Sequence, residues 1–156
     1  LSGWVKVDLD NTNGFISKDY VDISVQLPKA MTMTEVRYGN GVSDVRVDLI
    51  SYATQFVGNP YVWGGTSLTD GADCSGFVQS VFAHFGISLP RTTYDQIYAG
   101  VEVSYDQAMP GDLICYDGHI GIYIGNGQIV NAQNPEQGIG ISPATYTTIL
   151  SVRRIV

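Results

Sequence analysis

Phe77, Val78, Val81, Phe82 and Phe85 recur at spacings of three and four, Gly86 supplies a stop, and Pro90 lies just beyond. That pattern predicts a short amphipathic helix over 75–85. A second apolar stripe, Val45, Leu49, Tyr52, Ala53 and Phe56, predicts a helix over 45–57, and a shorter one is expected over 94–99. Later the period shortens, giving strands near 113–116, 119–124, 128–132 and 149–153. At the start of the chain, Gly3-Trp4-Val5-Lys6-Val7 and Gly14-Phe15-Ile16 flank the turn-rich residues 10–13 and read as a hairpin. Residues 24–43, with Pro28 and Gly39-Asn40-Gly41, lack sustained periodicity and read as a linker. The expected architecture is α+β, with helices packed on an antiparallel sheet over 44–156 and a small β segment over 1–23. No internal repeat or low-complexity tract interrupts it.

Composition narrows the function classes. At 156 residues, 44% hydrophobic and 15% charged, the chain can bury one proper core plus a small appendage. A net charge of −7 argues against a nucleic-acid partner, whose binders present basic surfaces. No apolar run approaches the ~20 residues that span a bilayer. Leu1 opens the chain without a signal-peptide pattern, which reads as a mature or trimmed chain. A monomer is expected.

Two segments carry chemistry: Asp73-Cys74-Ser75-Gly76-Phe77-Val78 and Gly118-His119-Ile120-Gly121. Cys74 falls in the first turn of its helix and on the same stripe as Phe77 and Val81, so it faces what the helix packs against. Unpaired N–H groups at a helix N-terminus favour thiolate and can cradle an oxyanion. Asp73 suits the N-cap, and Gly76 permits a close approach. A thiolate needs a proton partner. His84 lies ten residues along the same helix, about 15 Å up its axis at ~1.5 Å per residue, and cannot reach. His119 is left as the base. On its strand it shares a face with Gly121 and Tyr123, and small Gly121 leaves room beside the imidazole. An orienting acceptor depends on the turn at Gly125-Asn126-Gly127. A three-residue loop pairs Ile124 with Gln128 and puts Asn131 and Gln133 on His119's face; a two-residue Asn126-Gly127 turn reverses the parity and removes Asn131 from it. The three-residue loop is the expectation taken, with Asn131 as orienter and Gln133 as substitute. Two histidines and two cysteines without tight spacing give no zinc signature, and neither metal nor other cofactor is expected.

The chain resembles the NlpC/P60 family of cell-wall cysteine peptidases, papain-like in architecture. The resemblance is carried by Pro60-Tyr61-Val62-Trp63-Gly64-Gly65, the Cys74 segment, Leu89-Pro90-Arg91-Thr92, Pro110-Gly111-Asp112-Leu113 and the His119 segment through Gly125. It implies hydrolysis of peptidoglycan stem peptides, typically between the γ-carboxyl of D-glutamate and a diamino acid, by a secreted or wall-associated protein. It further implies that Asp73 and Ser75 help recognise the stem peptide and that Tyr61 borders the oxyanion site beside the Cys74 N–H. The planar fork of Arg91 suits a substrate carboxylate, although a surface ion pair explains it equally well. Family members most often have His as the third catalytic residue, so Asn131 is a departure, one familiar from papain-like enzymes. The N-terminal hairpin resembles the closing strands of a bacterial SH3-like domain; a plain hairpin is the simpler account.

Blander roles compete. A lone Cys on an apolar helix face is usually inert core, and only the flanking motifs reverse that for Cys74. Cys115, in an apolar strand, reads as packing. A Cys74–Cys115 disulfide would consume the nucleophile. His84 reads as a helix-flank residue, and Tyr61-Val62-Trp63 as aromatics partly used in packing. Besides an endopeptidase, an amidase or acyltransferase on the same scaffold and a non-catalytic wall-binding protein fit the sequence.

Overall fold

The computed structural model describes residues 4–9, 12–17 and 42–156. The chain divides into two compact units, Leu1–Ala30 and Met31–Val156. In the first, strands β1 (Trp4–Leu9) and β2 (Thr12–Ser17) pair antiparallel from Trp4↔Ser17 to Leu9↔Thr12, so the hairpin expected there forms with a tighter connection than residues 10–13 suggest. The linker expectation over 24–43 lies almost wholly outside the described residues.

In the second unit, helix α1 (Asp44–Thr54) precedes two-residue strands β3 (Thr66–Ser67) and β4 (Gly71–Ala72) and the helix α2 (Cys74–His84). A single turn, α3 (Thr93–Gln96), follows. Strands β5 (Val101–Val103), β6 (Leu113–Tyr116), β7 (His119–Gly125), β8 (Gln128–Ala132), β9 (Ile139–Pro143) and β10 (Ser151–Arg154) form one antiparallel sheet in the order β5-β10-β6-β7-β8-β9. The α+β arrangement is therefore the one expected. Leu113, Cys115, Ile120, Ile122, Val130 and Ala132 join Phe77, Val78, Val81 and Phe82 of α2 in the main core. The opposite face of the sheet buries Ile114, Tyr116, Ile129 and Val152. Fully burying a side chain such as Phe82 or Ile122 contributes about 1.5–3 kcal/mol.

Several details differ from the sequence expectations. Val45, placed on the apolar stripe of α1, is 50% exposed, and Arg46 is buried instead. Asp112, fully buried, explains why: Arg46 Nη1 reaches its Oδ1 at 2.8 Å and the Pro110 carbonyl at 2.8 Å, while Arg154 binds both Asp112 oxygens. Arg46 Nη2 also donates to the Val156 carbonyl. The Pro110-Gly111-Asp112 motif is thus a structural knot tying α1 to the sheet. The turn after β7 is the two-residue one: Gly125 pairs with Gln128, with Asn126 at φ 52° and Gly127 at φ 70°, as a primed hairpin turn requires. The expected three-residue loop is not formed. Parity survives because an irregularity between Tyr123 and Gly125 shifts the register, so that Ile122 still pairs with Val130.

Candidate active site

Cys74 opens α2, and Asp73 caps that helix: its Oδ1 accepts from the Gly76 N–H at 2.8 Å. The Asp73 carboxylate does more than cap. Its Oδ2 accepts from the Gly64 N–H at 2.9 Å, and Arg91 grips both oxygens, Nη1 to Oδ1 at 2.9 Å and Nη2 to Oδ2 at 2.8 Å. Arg91 Nη1 also donates to Ser75 Oγ at 2.9 Å. Burial alone would raise the Asp73 pKa, but the Arg91 and backbone N–H hydrogen bonds outweigh it and hold the carboxyl below its usual range. The fork of Arg91 is therefore occupied by Asp73.

The strand pair β3–β4 and the turn before it bring the backbone onto α2. The Asp73 N–H donates to the Gly65 carbonyl at 3.1 Å, and Gly76 faces that carbonyl so closely that a Cβ there could not fit. Gly65 is equally crowded, against the Gly71 carbonyl.

The sulfur of Cys74 is mostly buried, and the backbone N–H groups of Ser75, Ile120 and Cys74 itself lie close enough to favour its thiolate form. Those donors favour thiolate, as expected of a helix N-terminus. They do not prevail, because burial first and the Asp73 charge second push the thiol pKa up. Burial lowers the pKa of His119, so the imidazole rests neutral near pH 7. The site at rest thus holds an uncharged thiol and an uncharged base.

Ile120 links the two groups. Its N–H lies near the sulfur, and His119 is the preceding residue, at the start of β7. The imidazole lies on the face of the sheet carrying Tyr116 and Tyr146, with ring centroids 6.1 and 6.4 Å away. A cleft of about 400 Å³ is lined by Cys74, Asp73, Ser75, Arg91, Trp63 and Tyr94. Gly118 borders that cleft, and the next residue, His119, lines a second cavity of about 330 Å³ with Asn131, Gln133 and Tyr146.

Asn131 is 1% exposed on β8. A Cβ placed on Gly121 would lie 3.2 Å from Asn131 Cβ and 2.7 Å from Ile129 Cδ1, so the room left by Gly121 is filled by these two side chains. Asn131 Nδ2 donates to Ser142 Oγ at 3.4 Å, and Ser142 donates on to Gln133 Oε1 at 3.0 Å. This relay fixes the amide so that Asn131 Oδ1, buried and with no partner among the described residues, remains as an acceptor. Gln133 thus stands one residue behind Asn131.

The other sequence candidates resolve plainly. Tyr61 is half-buried against the core, and burial, followed by the Cys74 and Asp73 charges, raises its pKa. Trp63, for which partial packing is the blander reading, is 85% exposed on the rim of the cleft, and Tyr94 is 72% exposed there. His84 stacks on Tyr52 with centroids 3.8 Å apart and planes 10° from parallel, on the seam between α1 and α2. Cys74 and Cys115 are both free thiols. Among the described residues no cluster of three or more His, Cys, Asp or Glu could hold a metal, and no helix is long and apolar enough to cross a membrane. Sequence reasoning missed Ser142 and Tyr146. Nothing in the chain signals strand β9, so Ser142 had no visible neighbour.

A capped helix carrying a buried thiol, packed on an antiparallel sheet with a histidine-headed strand, defines a papain-like α+β fold, the thiol lining one cavity and the imidazole another. Residues 58–152 match the NlpC/P60 family model, and the chain belongs to that family. It is 48% identical over 91 residues to the probable endopeptidase p60 of Listeria innocua, covering 55% of this chain and 19% of that protein. It is 38% identical over 108 residues to the gamma-D-glutamyl-L-lysine dipeptidyl-peptidase of Bacillus subtilis, covering 64% of this chain and 36% of the relative. The chain thus spans well under half the length of these curated relatives. Among solved structures, the peptidoglycan hydrolase RipB of Mycobacterium tuberculosis matches with a TM-score of 0.67 at 32% identity, over 83% of this chain and 74% of RipB. RipD of the same organism, described as a non-catalytic NlpC/p60 domain protein adapted to peptidoglycan binding, matches with a TM-score of 0.64 at 26% identity, over 74% of this chain and all of RipD.

Proposed function

We propose that this protein is a cysteine endopeptidase of peptidoglycan stem peptides, cutting the bond between the γ-carboxyl of D-glutamate and the following diamino acid. Cys74 is the nucleophile, His119 the base and Asn131 the orienter. The observation that carries the reading is the Cys74 thiol at the capped N-terminus of α2, near the backbone of Ile120, the residue that follows His119 on β7. The name of the Listeria innocua relative supports an endopeptidase, and that of the Bacillus subtilis relative supports a γ-D-glutamyl bond to a diamino acid.

Because thiol and imidazole rest uncharged, the proton moves as the sulfur attacks. Cys74 Sγ adds to the scissile carbonyl while His119 takes its proton, and the Cys74 N–H with Tyr61 faces the developing oxyanion. Collapse of the intermediate forms a thioester and breaks the C–N bond, His119 returning the proton to the departing amine. Water, deprotonated by His119, then hydrolyses the thioester. Asn131 Oδ1, without a partner at rest among the described residues, takes the second imidazole N–H when the ring turns to it and holds the ring in the productive tautomer. Asp73 and Ser75, held by Arg91, border the acyl side of the substrate. The wall is the place of action, for a secreted or wall-associated protein, and the hairpin of β1 and β2 supplies closing strands of an SH3-like segment.

The test is wall lysis with fragment identification. Wild type should release stem fragments ending at D-glutamate, and Cys74→Ser should release none. Equal lysis by both proteins sinks the assignment. Fragments cut or transferred at another acyl group would make the protein an amidase or acyltransferase on the same scaffold. An intact wall with both proteins would align it with the wall-binding role given for RipD.

A further inference from the structure

Resting on the endopeptidase reading, the acyl half of the substrate stays on the Cys74 sulfur while the departing amine takes its proton from His119. The residue after the scissile bond therefore lies on the imidazole's side, in the cavity of about 330 Å³. Four side-chain carboxamides line that cavity, Asn131, Gln133, Asn134 and Gln137, together with His119 and Tyr146. Among the described residues no lysine or arginine does. Burial keeps both titratable members uncharged near neutral pH, lowering the imidazole and raising the phenol.

Nor do the other described residues from 42 onward supply a free cation. From residue 42 onward the sequence has no lysine, and its four arginines stand against eight Asp and two Glu. Each of those arginines is already ion-paired: Arg46 and Arg154 with Asp112, Arg91 with Asp73, Arg153 with Glu102. Glu136, which precedes Gln137 in the chain, is exposed and adds no cation either. A carboxylate entering here would shed water with no cation among the described residues to meet it. A carboxamide would instead exchange donors and acceptors with the lining amides.

We propose that this cavity selects stem peptides whose diamino acid carries a carboxamide in place of a free side-chain carboxylate. The test uses two synthetic stem peptides identical except for amidation of the side-chain carboxyl of diaminopimelate, with kcat/KM measured by chromatography of the products. The amidated peptide should be cleaved at least tenfold more efficiently. Gln137→Arg, which places a cation at the exposed rim, should narrow that ratio, and Gln137→Glu should widen it. Equal cleavage of both peptides by wild type, or preference for the acid, overturns the inference and leaves the endopeptidase reading standing. A wild-type preference that neither substitution moves overturns the assignment to this cavity. Cleavage of neither peptide, or equal cleavage by Cys74→Ser, overturns the endopeptidase reading and the inference with it.

Discussion

Gly76→Ala tests how the cleft is built. The new methyl would land within the contact shell of the Gly65 carbonyl and 3.0 Å from Asp73 Oδ1. Neither neighbour yields easily: the Gly65 carbonyl accepts from the Asp73 N–H and from Arg91 Nη2, and Asp73 is gripped by Arg91. Restoring an ordinary contact requires the first turn of α2 to move off the β3–β4 loop by about 1 Å, an overpacking that costs roughly 1–3 kcal/mol. Replacing glycine within a helix returns up to about 1 kcal/mol. The net loss of stability should therefore be about 1–2 kcal/mol, readable from urea denaturation midpoints at unchanged slope. Activity should suffer more. A 1 Å displacement of the nucleophile relative to Gly64 and Tyr61 should lower kcat by on the order of 100-fold. Steady-state kinetics on purified muropeptides, in parallel with denaturation, separates the two effects. A variant with wild-type stability and kcat within threefold of wild type would refute the idea that this glycine sets the seat of Cys74.

Other consequences follow from the same geometry. Since burial lowers His119 and raises Cys74, kcat/KM should rise through an acid limb below pH 6.5 and fall only above pH 9; a maximum confined near pH 6 would contradict the uncharged resting pair. Asn131→Ala should lower kcat by on the order of tenfold or more with a smaller change in KM, and an unchanged kcat would move the orienting role to Gln133 or to a backbone carbonyl. Cys115, with its thiol pushed up to about 12 by burial, should stay unlabelled by a maleimide in the native protein at pH 7 while Cys74 is modified; Cys115→Ala should cost about 1–2 kcal/mol of stability and leave kcat unchanged. Stoichiometric labelling of both thiols in the folded state would overturn that contrast.

Helix α2 was legible because its signals agree: the stripe from Phe77 to Phe82, the capping Asp73 and the stop at Gly86 all point to one element. Strands β6, β7 and β8 were legible for the same reason. Strand β9 was not, since Ile139-Gly140-Ile141-Ser142-Pro143 contains a glycine and a proline that local reasoning assigns to loops, and only pairing with β8 makes it a strand. Val45 falls on the expected buried stripe because helical periodicity records polarity, and the buried partner that draws its neighbour Arg46 inward, Asp112, lies 66 residues from Arg46. The turn after β7 shows a compensating error. Asn126-Gly127 is a strong two-residue turn signal, yet the bulge that restores the parity of Asn131 has no local signature, and register is a property of both strands together.

Asp73 shows why the candidate site could be found by motif but not understood from it. As a cap it stabilises the helix that carries Cys74, yet its charge also raises the thiol pKa, opposing the N–H groups it helps to align. An alanine there would free the sulfur from that charge but leave the Gly64 and Gly76 N–H groups and the Arg91 guanidinium without their acceptor. The arrangement is consistent only if the thiol need not ionise before substrate arrives. Paired with Arg91, the carboxylate fixes three backbone segments around the sulfur: the Gly64 turn, the start of α2 and the loop before α3. In the proposed mechanism, positioning therefore takes precedence over resting reactivity, and the proton transfer to His119 is left to the moment of attack.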